Sequence, residues 1–305
     1  MAVLQRGSVP SSPMELSMTL PTMLPHSRAQ TLAWSREVDA GPWASLAVPE
    51  RITYTSHDWT VDLAAVAALT ERVRLWTTIV ILPAHDEVAV AKSLASVDVL
   101  SSGRLTVGVG VGGREHDYRA IGGSFARRWQ RMDEQVARMR RIWAGEPPFD
   151  GADPIGPQPV QGASMPVIAG VMGPKAIARA AHWADGVDGA WTMDGDRDAM
   201  AAAFTQIRGA WEEAGRTEAP HLSSSIWYAI GDDAEARLRE YAHTYMKIMG
   251  DGVGDWAAGA VTCFTPDALR RAVDNARGAG ADEFFLVPTT SDPDELARTC
   301  DALGI

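Results

Sequence analysis

Residues 100–123 read LSSGRLTVGVGVGGREHDYRAIGG, and within them Gly108, Gly110 and Gly112 alternate with Val107, Val109 and Val111. A two-residue period is that of a β-strand, so one face of this segment carries no side chains. Interior glycine weakens a strand, and three on one face point to something flat or bulky lying against the backbone. Gly108, Gly110 and Gly113 also satisfy the G-x-G-x-x-G dinucleotide fingerprint. That fingerprint needs a helix opening on its last glycine and an acidic residue closing a second strand about 20 residues later. Asp133 and Glu134 fall instead within residues 125–143, where Met132, Val136, Met139 and Trp143 recur at helical spacing. The segment therefore reads as a cofactor-facing strand and not as a phosphate loop.

On both sides of it, strands and helices alternate. Strands are expected at Glu15–Thr19, Ala44–Val48, Arg74–Ile81, Leu105–Val111, Val167–Ala169, Gly186–Ala190, Ser223–Ile230 and Glu283–Val287, each followed by helix. Eight β/α units in 305 residues is the count of a closed (β/α)8 TIM barrel, whereas an open doubly wound sheet usually stops earlier. A long Pro/Gly-rich insertion, Gly145–Pro166, follows the fourth unit; its length is that of a functional lid and equally suits a domain linker. Residues 1–13, rich in Ser and Pro, read as a loose tail ahead of a single barrel domain over 14–305.

Hydrophobic residues at 46% and charged residues at 22% are ordinary for a globular enzyme. The net charge of −11 argues against a nucleic-acid or anionic-membrane surface, leaving a small organic molecule or a second copy of the chain as partner. Two cysteines, Cys263 and Cys300, make neither a disulfide framework nor a zinc spacing, and a reducing cytoplasm is the expected compartment. No metal site is expected.

Active sites in a TIM barrel lie on the loops that leave the carboxyl ends of the strands. After the fifth strand, Val171, Met172 and Gly173 lead into Pro174, a turn that suits a phosphate and equally serves as a plain strand-to-helix link. Thr78 and Ile79 stand near the end of the third strand, within reach of a ring lodged on Gly108 and Gly110. Of the histidines His26, His57, His85 and His116 in the loops after strands one to four, His57 is the best candidate acid or base. Asp58 is adjacent to it, and a neighbouring carboxylate raises an imidazole pKa. Glu50, directly after the second strand, is the second candidate, while His182, His221 and His243 read as helix or linker residues. No G-x-S-x-G elbow, Walker loop or H-E-x-x-H motif is present, which argues against hydrolase, NTPase and metalloprotease chemistry.

The run TERVRLWTTIVILPAHDEVAVAKSLASVDVLSSGRLTVGVGVGGREHDY, Thr70 to Tyr118, resembles the luciferase-like family of flavin- and deazaflavin-dependent oxidoreductases. The likeness is carried by T-x-R-x-x-L-x-T ahead of the third strand paired with L-S-x-G-R-L-x-x-G-x-G at the glycine strand. PVIAGVMGPKAIARAAHWADG, Pro166 to Gly186, is similar to the family's phosphate-binding turn and following helix. The resemblance implies a TIM barrel, a homodimer, and a tricyclic ring held across the mouth by Thr78 and Ile79, often at a bulge with a non-prolyl cis peptide. It further implies that Gly108 and Gly110 underlie the ring and that Val171, Met172 and Gly173 meet the phosphate. In the family's deazaflavin-dependent dehydrogenases a histidine follows strand two and a glutamate follows strand four; Arg51 and Gly113 stand at those positions here. The implied activity is hydride transfer to, or monooxygenation of, a small organic substrate by reduced FMN or reduced coenzyme F-420, with NAD(P)H as an indirect reductant. The alternative is a non-catalytic flavin-binding protein of the same fold.

Overall fold

The computed structural model describes residues 13–305, so the expected tail lies outside the described residues except for Pro13. Nine parallel strand segments form one sheet: β1 Glu15–Thr19, β2 Ser45–Val48, β3 Arg74–Thr77, β4 Val80–Ile81, β5 Leu105–Gly110, β6 Val167–Gly170, β7 Gly186–Asp188, β8 His221–Tyr228 and β9 Glu283–Pro288. β1 lies between β2 and β9, and β3 pairs with β5 at Leu75–Leu105 and Trp76–Thr106, so the sheet closes on itself. The fold is the eight-stranded parallel barrel, with β3 and β4 as two pieces of its third strand.

Local chemistry sets the helix starts. Ser27 and Gln30 form a reciprocal capping box on helix Arg28–Ala40, and Asp86 and Asp196 cap helices Glu87–Leu100 and Arg197–Glu213 through backbone N–H groups. Thr265 caps helix Pro266–Ala279, which ends on Gly280 at φ +87.

Alternation along the strands sorts side chains between the helices outside and the barrel interior. At the amino end of the interior, Glu283 accepts from Ser17 and pairs with Arg74 (3.0 Å), with His221 Nε2 3.4 Å away. Burial alone would raise the Glu283 pKa, but the surrounding His221, Arg74 and Ser17 hold it below the usual carboxylate range. His221 thus opens β8 and faces this carboxylate; it is not a linker residue. Above lies an apolar plug of Ala47, Trp76, Ile168 and Phe285.

The third strand breaks because one residue is extra. Between the pairs Trp76–Thr106 and Val80–Val109, Thr77, Thr78 and Ile79 oppose only Val107 and Gly108, which makes a β-bulge. The Thr78–Ile79 peptide within it is cis.

The Gly145–Pro166 insertion corrects the expectation of a lid. It joins the end of helix Arg128–Trp143 to the start of β6, and such a link lies at the amino ends of the strands, opposite the mouth. Gln161 fastens it there, donating to Asp98 Oδ1 (2.7 Å) and to the carbonyl of Leu105 (2.7 Å), the first residue of β5. The mouth is covered instead by two helices after β8, Ala234–Met246 and Asp251–Ala260, which pack on each other.

Candidate active site

A cavity opens above the apolar plug at the carboxyl ends of the strands. Thr19, Pro49, Thr78, Asp188, Ser225, Trp227, Phe285 and Val287 supply its floor and walls, and Met23, Trp191, Tyr241, Tyr245 and Met246 come from the loops and the covering helix. The lining is mostly apolar and aromatic, with a few polar groups converging on one space, which is the usual composition of a site for a small molecule or cofactor. Trp227 packs edge-on against Trp191 and Tyr245, each with ring centroids 4.9 Å apart.

Behind Tyr245 sits Arg51, directly after Glu50 in the loop that leaves β2. Its guanidinium is sandwiched between Tyr54 (4.4 Å) and Tyr245 (4.2 Å), and only 8% of the residue is exposed. Burial depresses its pKa, and the two rings compensate in part for lost hydration. Arg51 therefore fixes the aromatic wall without lining the cavity.

Asp188 is the feature that period and motif did not single out. It ends β7 on the inward face, opens onto the cavity, and accepts a hydrogen bond from Ser223 Oγ (3.2 Å). Burial pushes its pKa up to about 6, Ser223 opposing the shift and Glu283 adding to it. The signal lay in V-D-G, an acidic residue at the end of a strand otherwise read as core.

The expected ring-binding residues divide. Thr78 lines the cavity from the bulge, and its N–H donates to the carbonyl of Val48 (3.0 Å). Ile79 lies over the glycine strand: a Cβ at Gly110 would stand 2.8 Å from Ile79 Cδ1, and one at Gly170 2.6 Å from Ile79 Cγ2. Gly108 faces Thr77, whose hydroxyl donates to the Gly108 carbonyl (2.7 Å) and accepts from its N–H (2.8 Å). The bare face of the strand is thus filled from within the protein by the bulge. Gly108 and Gly110 are glycines so that Thr77 and Ile79 can approach, and the surface they would have offered to a ring is presented by the bulge instead.

At the turn after β6, Gly173 has φ +83 and open space where a Cβ would be, and no side chain caps helix Pro174–Ala180. Met172 and Gly173 line an open groove with Trp129, Lys175 and Arg179. Val171 is 3% exposed and packs in the core, and it does not line that groove. Arg179 is engaged with Asp133, whereas Lys175 has no acidic partner among the described residues.

Neither expected acid–base residue lines the cavity. Both carboxylate oxygens of Glu50 are taken, one by the N–H of Ile81 (2.6 Å) and one by His85 Nε2 (2.6 Å). Burial lowers the His85 pKa, but the Glu50 partner outweighs it and the net shift is upward. His57 stands at the rim, and the carboxylate it meets is Asp62 (3.1 Å); Asp58 is occupied as the N-cap of helix Trp59–Leu69, accepting from Thr60 N–H (2.8 Å).

A sequence profile described as luciferase-like monooxygenase matches residues 12–296. An uncharacterized protein of Mycobacterium tuberculosis (strain H37Rv) is 33% identical over 184 residues, 57% of this chain and 62% of that protein; the match therefore spans less than two thirds of that relative's length. Among solved structures, an F420-dependent secondary alcohol dehydrogenase in complex with an F420-acetone adduct superposes with TM-score 0.76 at 19% identity, covering 96% of this chain and 99% of the other. The oxygenating constituent of 3,6-diketocamphane monooxygenase from Pseudomonas putida, in complex with FMN, superposes with TM-score 0.71 at 16% identity, covering 96% of each. At these identities the superpositions establish the shared fold. No helix among the described residues is long and apolar enough to cross a membrane.

Proposed function

Because the chain belongs to the luciferase-like monooxygenase family, we propose that it is a flavin-type oxidoreductase whose barrel mouth holds the ring of FMN or of coenzyme F-420 beside a small organic substrate. The observation that carries this reading is one cavity bounded by the Thr78 bulge, the rings of Trp191, Trp227 and Tyr245, and the carboxyl group of Asp188. The residues present fit a flat, largely apolar ring with a polar rim: wide aromatic faces on one side, Thr78 of the bulge on another, and Thr19 and Ser225 as hydrogen-bonding groups between them. The F420- and FMN-bound proteins that share the fold support both coenzymes equally. Neither the described residues nor the relatives support a link to NAD(P)H.

In this reading Thr78 and Ile79 hold the ring through the bulge, with Gly108 and Gly110 one layer below. Val171, Met172 and Gly173 hold the phosphate-bearing tail through their backbone, with Lys175 supplying positive charge in the groove. When bound in its reduced form, either coenzyme supplies a hydride, and FMN also activates dioxygen. The chain's own work is to orient, to exclude water under helix Ala234–Met246, and to move a proton. Asp188, with a pKa of about 6, does the last. Below that pH its carboxyl donates a proton to the substrate, and above it the carboxylate accepts one. Glu50, engaged away from the cavity, supports that work by fixing the β4 segment through Ile81 and His85.

The test is reoxidation of reduced F-420 and of reduced FMN by the purified chain across carbonyl, enone and sulfur compounds, with and without oxygen. Substrate-dependent reoxidation with one coenzyme is the expected result. Ring binding with no turnover on any compound would favour the non-catalytic reading, which the loss of the family's histidine and glutamate motivates. In Asp188→Asn the transition near pH 6 in kcat/KM should disappear and the rate should fall about a hundredfold, within the usual range for a lost general acid or base. A wild-type pH profile retained in the variant would remove Asp188 from the mechanism.

A further inference from the structure

Away from the cavity, the rim of the mouth carries a cluster that the oxidoreductase reading does not use. His26 comes from the loop after β1, His57 from the loop after β2, and Asp62 from the first turn of helix Trp59–Leu69. One ring nitrogen of each histidine and one carboxylate oxygen all lie within 4.8 Å of one another. His26 and Asp62 are almost wholly buried, with side-chain exposures of 2% and 4%, while His57 is 46% exposed and forms the cluster's open side.

The hydrogen bonding leaves a gap of a particular kind. His26 Nδ1 meets the carbonyl oxygen of Leu24 at 2.9 Å, and because a carbonyl only accepts, Nδ1 carries the hydrogen. In the neutral ring Nε2 is then a bare lone pair. It is buried, has no hydrogen-bond partner, and faces Asp62 Oδ2, 4.0 Å away, which is buried and unpartnered as well. Two buried acceptors facing each other is an arrangement that costs free energy unless something positive lies between them. Asp62 Oδ1 is meanwhile held by His57 Nδ1, and the two imidazoles pack with ring centroids 4.1 Å apart.

We propose that His26, His57 and Asp62 form a binding site for a divalent cation of the zinc class, clasping the loops after β1 and β2 at the barrel mouth. Two imidazoles and one carboxylate are a common protein donor set for Zn2+, with a water in the fourth position on the side where His57 is exposed. The Leu24 carbonyl on Nδ1 is the outer partner that orients a ligating histidine and fixes its tautomer. Bond lengths of 2.0–2.1 Å put tetrahedral ligand atoms about 3.3 Å apart, so the observed 4.0 Å between His26 and Asp62 needs a contraction of well under an ångström. The half-exposed His57 is free to make the remaining adjustment. Met23, three residues before His26, lines the cavity, so a cation here would fix one wall of the mouth.

The test uses the full chain without a histidine tag, stripped with a chelator and then titrated by calorimetry with Zn2+. Co2+ serves as a probe through its visible d–d absorption. Expected are one equivalent per chain, a tetrahedral Co2+ spectrum, and a rise in Tm on adding Zn2+. Asp62→Asn and His57→Ala should each weaken binding by about a hundredfold, while His243→Ala, a partly buried histidine elsewhere that pairs with Asp255, should bind as wild type. His57 is half exposed, so His57→Ala keeps the test decisive even where Asp62→Asn folds poorly. No binding by the wild type, or unchanged affinity in His57→Ala, would overturn the proposal.

Discussion

Gly108→Ala should prevent the barrel from closing and leave a chain destabilised by about 3 kcal/mol or more, since overpacking is compounded by lost buried hydrogen bonds. A Cβ at this position would fall on the carbonyl oxygen of Thr77, well inside the 3.0 Å below which such contacts do not occur. The obstacle is backbone, so no rotamer change relieves it. The strands must separate where β3 meets β5, and the Thr77 hydroxyl loses its paired bonds to the N–H and carbonyl of Gly108. Urea denaturation followed by circular dichroism measures the loss. Gly209→Ala, in helix Arg197–Glu213 with nothing near its missing Cβ, is the control and should gain up to about 1 kcal/mol from helix propensity. A Gly108→Ala variant within 0.5 kcal/mol of the wild type, of the order of an ordinary surface change, would mean that the bulge does not cover the glycine face.

Ser225→Trp should abolish coenzyme binding while leaving the barrel intact. Ser225 lies on β8 beside Phe285 of β9, and its side chain points into the mouth cavity. A tryptophan there occupies the space between Thr78 and the aromatic wall, and its ring finds Trp227 and Phe285 to pack on. The expected loss of affinity for both FMN and F-420 is at least about a hundredfold, or 2.8 kcal/mol. Equilibrium titration by ring fluorescence gives the affinity, and thermal unfolding checks that Tm stays near the wild-type value. Undiminished binding in a folded variant would move the ring out of this cavity.

The barrel was legible in the sequence because its signals are local. Period-two segments of branched residues marked the strands, and the breakers between them marked the alternation with helices that the structure bears out. The bulge at Thr78 was legible only through the family resemblance and not in the period, because an extra residue is defined only against a partner strand and LWTTIVILP reads as one unbroken strand by itself. The same gap misled the reading of the glycines: their sequence announces a close approach, but not whether the approaching group is a ring or Ile79. Asp188 was hidden because burial depends on which face of β7 turns inward, and three residues are too few to show a period. The lid is a different kind of miss. The rule that puts sites on the loops leaving strand carboxyl ends also puts Gly145–Pro166, which enters a strand, at the far end of the barrel. Helix was expected after each strand, and only the fold shows that the first helix after β8, carrying Tyr241 and Tyr245, covers the mouth.

Whether the mouth cavity takes a flavin-type ring is read out by an equilibrium titration of the purified chain with oxidised FMN and with oxidised F-420, followed by quenching of ring fluorescence. Saturable binding of at least one of them at one ring per chain is expected, with quenching by the adjacent Trp191 and Trp227. Failure of both coenzymes to bind a folded chain would contradict it.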